Sequence, residues 1–140
     1  MRLVVLLAVL LSGPSYAQTA FLEKREFSAR GGLVRVKLAV SHSRPESVEL
    51  TVRLKGAGKD PESPGPLLVD GVSITPSQFR IPPGKTRRLM LTFPSTVASR
   101  TPYFACVLYQ PPVESMERGG AAGGSMRLAT ESCSRFWVNP

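Results

Sequence analysis

Residues 72–93 (VSITPSQFRIPPGKTRRLMLTF) constrain this chain more than any other stretch. A corner of Pro82, Pro83 and Gly84 separates two apolar, alternating runs. Before the corner, Ile74 and Thr75 lead into Pro76, and Phe79 and Ile81 follow. After it, Leu89, Leu91 and Phe93 fall on one face, with Arg88, Met90 and Thr92 on the other. Alternation with period two means a strand with one buried face. Proline fixes φ and removes a donor, while glycine accepts a positive φ, so their conjunction reverses the chain. The stretch reads as two strands and the bend between them.

The same pattern recurs along the chain. Residues 33–40 (LVRVKLAV) set Val34, Val36 and Leu38 against Arg35 and Lys37. Residues 47–55 (SVELTVRLK) set Val48, Leu50, Val52 and Leu54 against Glu49, Thr51 and Arg53. Residues 103–109 (YFACVLY) are apolar on both faces, as a central strand requires. Residues 21–27 and 67–72 read as shorter strands, and 126–138 as the closing one. Residues 41–46 form a polar turn around Pro45, 56–66 an exposed loop, and 111–125, with four glycines and two prolines, a long mobile loop. No stretch sustains a helical period. The fold class is therefore all-β, an immunoglobulin-like β-sandwich of about seven strands.

Arg2 precedes an apolar run from Leu3 to Leu11, Gly13 and Pro14 break it, and Ser15-Tyr16-Ala17 places small residues where a signal peptidase cuts. Residues 1–17 are expected to be a secretory signal peptide, since a membrane anchor needs about 20 apolar residues. Residues 18–140 then form a single domain, exported and periplasmic. No later segment is long and apolar enough to span a bilayer. Losing Arg2 takes the formal charge from +8 to +7, spread along the chain as on a solvated surface or one meeting an acidic partner. Nucleic acid is not expected, because no basic run is interleaved with aromatics.

The sequence excludes most catalytic chemistry. His42, the only histidine, has no neighbours at ligand spacing, so no metal site is expected, and it reads as an exposed turn residue. No Ser/His/Asp set, carboxylate pair or cofactor motif appears, so the protein is not expected to be an enzyme or to need a cofactor. Cys106 and Cys133 are an even count in an oxidising compartment, which favours one disulfide over two free thiols. Closing the loop between them stabilises by roughly 3 kcal/mol in the entropy model. Antibody-type domains carry their core tryptophan between their cysteines, whereas Trp137 follows both. Phe136 and Trp137 read as one core residue and one half-exposed residue of the last strand.

Three stretches, in order, resemble the PapD-type periplasmic pilus chaperones. SITPSQFRIPPGKTRRLMLTF is similar to a family segment with a Ser/Thr-Pro pair, an apolar residue, a proline–glycine corner and a basic strand. YFACVLYQPP is similar to a strand ending in proline after a tyrosine, and MRLATESCSRFWVNP to the last strand of the chaperones' N-terminal immunoglobulin-like domain. The cysteines, with residues 111–125 between them, resemble the long-loop branch of the family, in which a disulfide links the last two strands.

The resemblance implies a chaperone that binds exported pilus or fimbrial subunits by lending its last strand to an incomplete fold. Met126, Leu128 and Thr130 are then the subunit-binding side chains of that strand. It also implies two basic residues that anchor the subunit's terminal carboxylate. Arg135 occupies the matching place in the last strand, and Arg25 or, with a slip of register, Arg30 the place in the first. Two cations converging on a carboxylate make charge-assisted hydrogen bonds. The alternative is a stand-alone immunoglobulin-like module that self-associates or joins an envelope assembly.

Overall fold

The structure, a computed structural model, describes residues 16–111 and 129–140. They form ten strands in two sheets: β1 (Gln18–Leu22), β2 (Glu26–Ser28), β3 (Leu33–His42), β4 (Val48–Ala57), β5 (Pro64–Leu68), β6 (Ser73–Thr75), β7 (Gln78–Ile81), β8 (Thr86–Pro94), β9 (Thr101–Tyr109) and β10 (Thr130–Asn139). The first sheet has the order β1-β3-β8-β6, and the second β2-β10-β9-β4-β5, with β7 also pairing with β4. Among the described residues there is no helix long and apolar enough to cross a membrane.

The alternation builds the core. β3 turns Val34, Val36, Leu38 and Val40 inward, and β8 adds Leu89, Leu91 and Phe93. From the facing sheet, β4 supplies Val48, Leu50, Val52 and Leu54, and β9 supplies Ala105, Val107 and Tyr109. Gly31 and Gly32, at φ +60° and +76°, form the tight turn into β3, and Gly84, at +71°, completes the corner before β8. Both turns need backbone geometry that other L-residues adopt only with strain.

Strands outnumber the expected seven because the chain switches sheets inside two segments. The stretch 21–27 is not one strand. β1 pairs with β3 in the first sheet, and β2 pairs in parallel with β10 in the second. The intervening Glu23-Lys24-Arg25 offers no apolar anchor, so the chain crosses there. The run before the Pro82 corner also divides, into β6 on β8 and β7 on β4. Pro76, after a cis Thr75–Pro76 bond, has no N–H with which to continue a ladder.

Two loop assignments shorten, and one residue moves inside. β4 continues to Ala57 and β5 starts at Pro64, so both intrude on the expected loop 56–66. His42 is not an exposed turn residue: β3 reaches it, and it is buried. The Arg44 N–H donates to His42 Nδ1, which leaves Nε2 to donate to the Ile81 carbonyl at 2.9 Å. That bond ties the end of β3 to β7 in the opposite sheet. The expected loop 111–125 and the expected start of the last strand at 126 lie almost wholly outside the described residues, as does most of the expected signal peptide 1–17.

Candidate functional site

β10 (TESCSRFWVN) carries the features singled out in the sequence. Phe136 and Val138 point into the core, where Phe136 packs edge-on against Phe27 (centroids 5.4 Å) and stacks on Tyr103 (5.9 Å). Thr130, Ser132 and Ser134 share that parity, but they are small and hydroxylic. Glu131, Cys133, Arg135 and Trp137 occupy the opposite face.

One edge of β10 is fully paired and the other is not. β9 pairs antiparallel with it from Thr130↔Tyr109 to Val138↔Thr101. β2 pairs with the other edge only at Trp137, Val138 and Asn139. The Trp137 N–H donates to the Arg25 carbonyl at 2.8 Å, on the side away from β9. Backbone groups alternate sides along a strand, so those of Arg135, Cys133 and Glu131 leave β10 on that same side. There, β10 has no ladder partner among the described residues before Trp137. An edge of this kind is a template for another strand.

Hydrogen bonds with β1 steady this edge. The buried Gln18 donates its amide Nε2 to the carbonyls of Val107 (3.2 Å) and Thr130 (2.6 Å), and Ser134 Oγ donates to the Ala20 carbonyl (2.7 Å). Thr130 Oγ1 also lies 3.2 Å from Gln18 Nε2, so this residue of the expected subunit-binding set already has an internal partner. Met126 and Leu128 lie outside the described residues. Gln18 and Ser134 were missed in the sequence. The signal was there for Gln18, which shares the inward parity of Ala20, since a polar residue on a buried face demands partners.

The two arginines meet through the backbone. Arg25 lies exposed between β1 and β2, and its Nη1 donates to the Arg135 carbonyl at 3.3 Å. Arg135 sends its guanidinium along the outer face to Glu62 (3.1 Å) and the Pro61 carbonyl (3.4 Å). Arg30 instead bonds Leu33 across the Gly31–Gly32 turn. Of the two first-strand candidates, Arg25 is the one in contact with β10.

A third arginine enters from the loop before β9. Arg100 stacks over the Trp137 ring, 3.9 Å from its centroid, and pairs with Glu26 on β2. Asn139 also donates to Glu26, at 2.8 Å. The Arg100 hydrogen bond first, and that of Asn139 second, hold the Glu26 carboxyl below the usual carboxylate range. This network pins β2 against the end of β10. Beside the open edge, Cys106 and Cys133 stand directly opposite each other and form a disulfide, with Cα atoms 4.0 Å apart.

No family model matches the sequence. No curated protein matches it either. Solved structures do. The Salmonella enterica SafA pilin in complex with the SafB chaperone matches with TM-score 0.63 and 17% identity, over 92% of this chain and 57% of that one. The E. coli chaperone DraB matches with TM-score 0.60 and 17% identity, over 89% and 56%. The Pseudomonas aeruginosa CupB2 chaperone matches with TM-score 0.58 and 18% identity, over 87% and 55%. The chain spans little more than half the length of these chaperone chains. Its all-β sandwich therefore has the immunoglobulin-like fold found in PapD-type pilus chaperones, which are its structural neighbours.

Proposed function

We propose that this protein is a periplasmic chaperone for pilin-like subunits, and that it binds them by adding β10 to an incomplete subunit fold. The observation that carries the reading is the edge of β10, which has no ladder partner from Thr130 to Phe136 among the described residues and is paired along its other edge with β9. The likeness of the fold to pilus chaperones supports it. Backbone N–H and C=O groups at Glu131, Cys133 and Arg135 supply the pairing, while Met126, Leu128 and Thr130 are the side chains that the family resemblance implies for the subunit groove, Thr130 only by exchanging its Gln18 partner. Arg25, beside the Arg135 carbonyl, offers a cation for a terminal carboxylate. Arg135 joins it only by exchanging Glu62 for that carboxylate. No step needs catalysis, metal or cofactor.

A second reading has one observation in its favour. β5 is an edge strand of the second sheet, and Leu67 and Leu68 on it are exposed at 79% and 55%. Apolar side chains on an edge invite pairing with another copy.

The deciding experiment is a pull-down from periplasm with the protein lacking residues 1–17, beside an Arg25→Ala/Arg135→Ala variant and a Leu128→Arg variant. Capture of a pilin-like subunit by the parent, weakened in both variants, is expected. Capture of nothing, with a stable dimer by light scattering, would replace the chaperone reading with the self-associating module.

A further inference from the structure

The two outer faces of the sandwich treat their charges differently. Among the described residues the ion pairs are Arg53 and Lys55 with Glu131, Arg100 with Glu26, and Arg135 with Glu62. All lie on strands or loops of the second sheet, whose outer face is thereby largely neutralised. The outer face of the first sheet carries Arg35 and Lys37 on β3 and Arg88 on β8, and none of them makes an ion pair among the described residues.

Register brings these cations close together. Lys37 stands opposite Met90, Ala39 opposite Arg88, and Phe21 of β1 opposite Ala39. Arg35 and Lys37 are two residues apart on one face, roughly 7 Å along the strand, and Arg88 is the diagonal neighbour of Lys37. Like charges so placed repel. The small side chain of Ala39 lowers the floor between its larger neighbours, leaving a groove of about 720 Å3 walled by Phe21 and Thr75 and floored by Ala39 and Met90. Phe21 is 58% exposed. The groove continues along β3 past Lys37 and Arg35 to Lys24 and Arg30, in an adjoining hollow of about 540 Å3. Glu23 borders both hollows and Glu26, paired with Arg100, borders this one, so cations outnumber carboxylates along the whole groove.

We infer that this groove binds an extended acidic segment of a partner polypeptide, with carboxylates on Lys37, Arg88 and Arg35 and an apolar side chain against Phe21 and Met90. The site is concave and its cations border the floor, which suits a strand-like chain entering the groove. A flat anionic membrane would meet the rim first. The deeper part of the groove is walled by β1, β3, β6 and β8 of the first sheet, and the adjoining hollow also touches β2, the partner of the end of β10.

The test is a fluorescence titration, at low salt, of the protein lacking residues 1–17 with a short labelled peptide alternating Glu and Val. Vesicles of anionic phospholipid serve as a parallel arm. Binding of the peptide is expected to weaken by at least about tenfold in Lys37→Glu/Arg88→Glu, because each reversal removes an attraction and adds a repulsion. Ala39→Trp fills the floor without changing charge and is expected to block the peptide as well. Lys59→Glu in the β4–β5 loop and Arg25→Ala/Arg135→Ala at β10 are expected to leave it unchanged, with circular dichroism confirming the fold of each. Peptide binding that survives Ala39→Trp overturns the inference. So does the absence of peptide binding, whether or not the vesicles bind.

Discussion

The amide of Gln18 on β1 donates to the carbonyl of Thr130 on β10 at 2.6 Å, across the gap between the two sheets. The same nitrogen reaches the Val107 carbonyl on β9. One buried side chain thus fastens the first sheet to the two strands that present the open edge. Gln18→Ala removes a donor that reaches both carbonyls at a partly buried site, while the β9–β10 ladder stays in place. A loss of about 0.5–1.5 kcal/mol in urea denaturation is expected. Faster amide exchange should appear first at Thr130 and Glu131. Unchanged exchange there would show that β9 alone holds the start of β10.

The Cys106–Cys133 bridge fastens the same strand from its outer face. Its two residues are register partners, so it reinforces pairing that the β9–β10 ladder already specifies. Replacing both with alanine should cost roughly 3 kcal/mol through the freed unfolded chain. Because Cys106 is buried, part of the loss will be packing. Denaturant midpoints of oxidised and reduced parent protein, measured beside the double variant, separate the two contributions.

What the sequence revealed and what it hid divide along a physical line. Period-two alternation needs only local residues, so β3, β4 and β8 were legible, as was β9 from its apolar run. Of Phe136 and Trp137 one was expected in the core, and the structure shows it to be Phe136. Alternation says which side chains share a face and says nothing about which sheet a strand joins. The crossings at 23–25 and at Pro76 therefore stayed hidden, although Pro76 marks where a ladder stops. Burial of His42 depends on the Ile81 carbonyl, distant in sequence and adjacent only after folding. The site was legible to the same extent. Arg25 and Arg135 were named from the resemblance, and the long-range contacts that decide how free each guanidinium is were not legible.

The Glu26 network predicts a pH response with a definite sign. Its carboxyl titrates below the ordinary range because Arg100 and Asn139 hydrogen-bond the charged form. A depressed folded value means that the carboxylate's contribution to docking β2 is fully present above the unfolded value, and is lost as pH falls through the folded one. Since Arg100 stacks on Trp137, the chain's only tryptophan, fluorescence reports the loss directly. The emission of Trp137 should shift with a midpoint below the usual carboxylate value, and Glu26→Gln should abolish that step. A step that persists in Glu26→Gln would belong to another acid.

Strand parity gives the sharpest test of β10. The Ser132 N–H faces β9, whereas the Glu131 N–H faces the open edge, by the alternation that the Trp137–Arg25 bond fixes. Proline removes one N–H at either position. Ser132→Pro takes a ladder bond from a paired strand and should lower the denaturation midpoint sharply, by about 1–3 kcal/mol or more. Glu131→Pro takes only an outward donor, at a site where proline is tolerated, and also the ion pairs of Glu131 with Arg53 and Lys55, which are surface interactions of about 0–1 kcal/mol each. Glu131→Gln removes those ion pairs alone and serves as the control. If β10 binds by strand addition, Glu131→Pro should stay folded and lose subunit capture, while Glu131→Gln retains both. Capture that survives Glu131→Pro would mean that the subunit is held by side chains on the outer face, with the backbone edge playing no part.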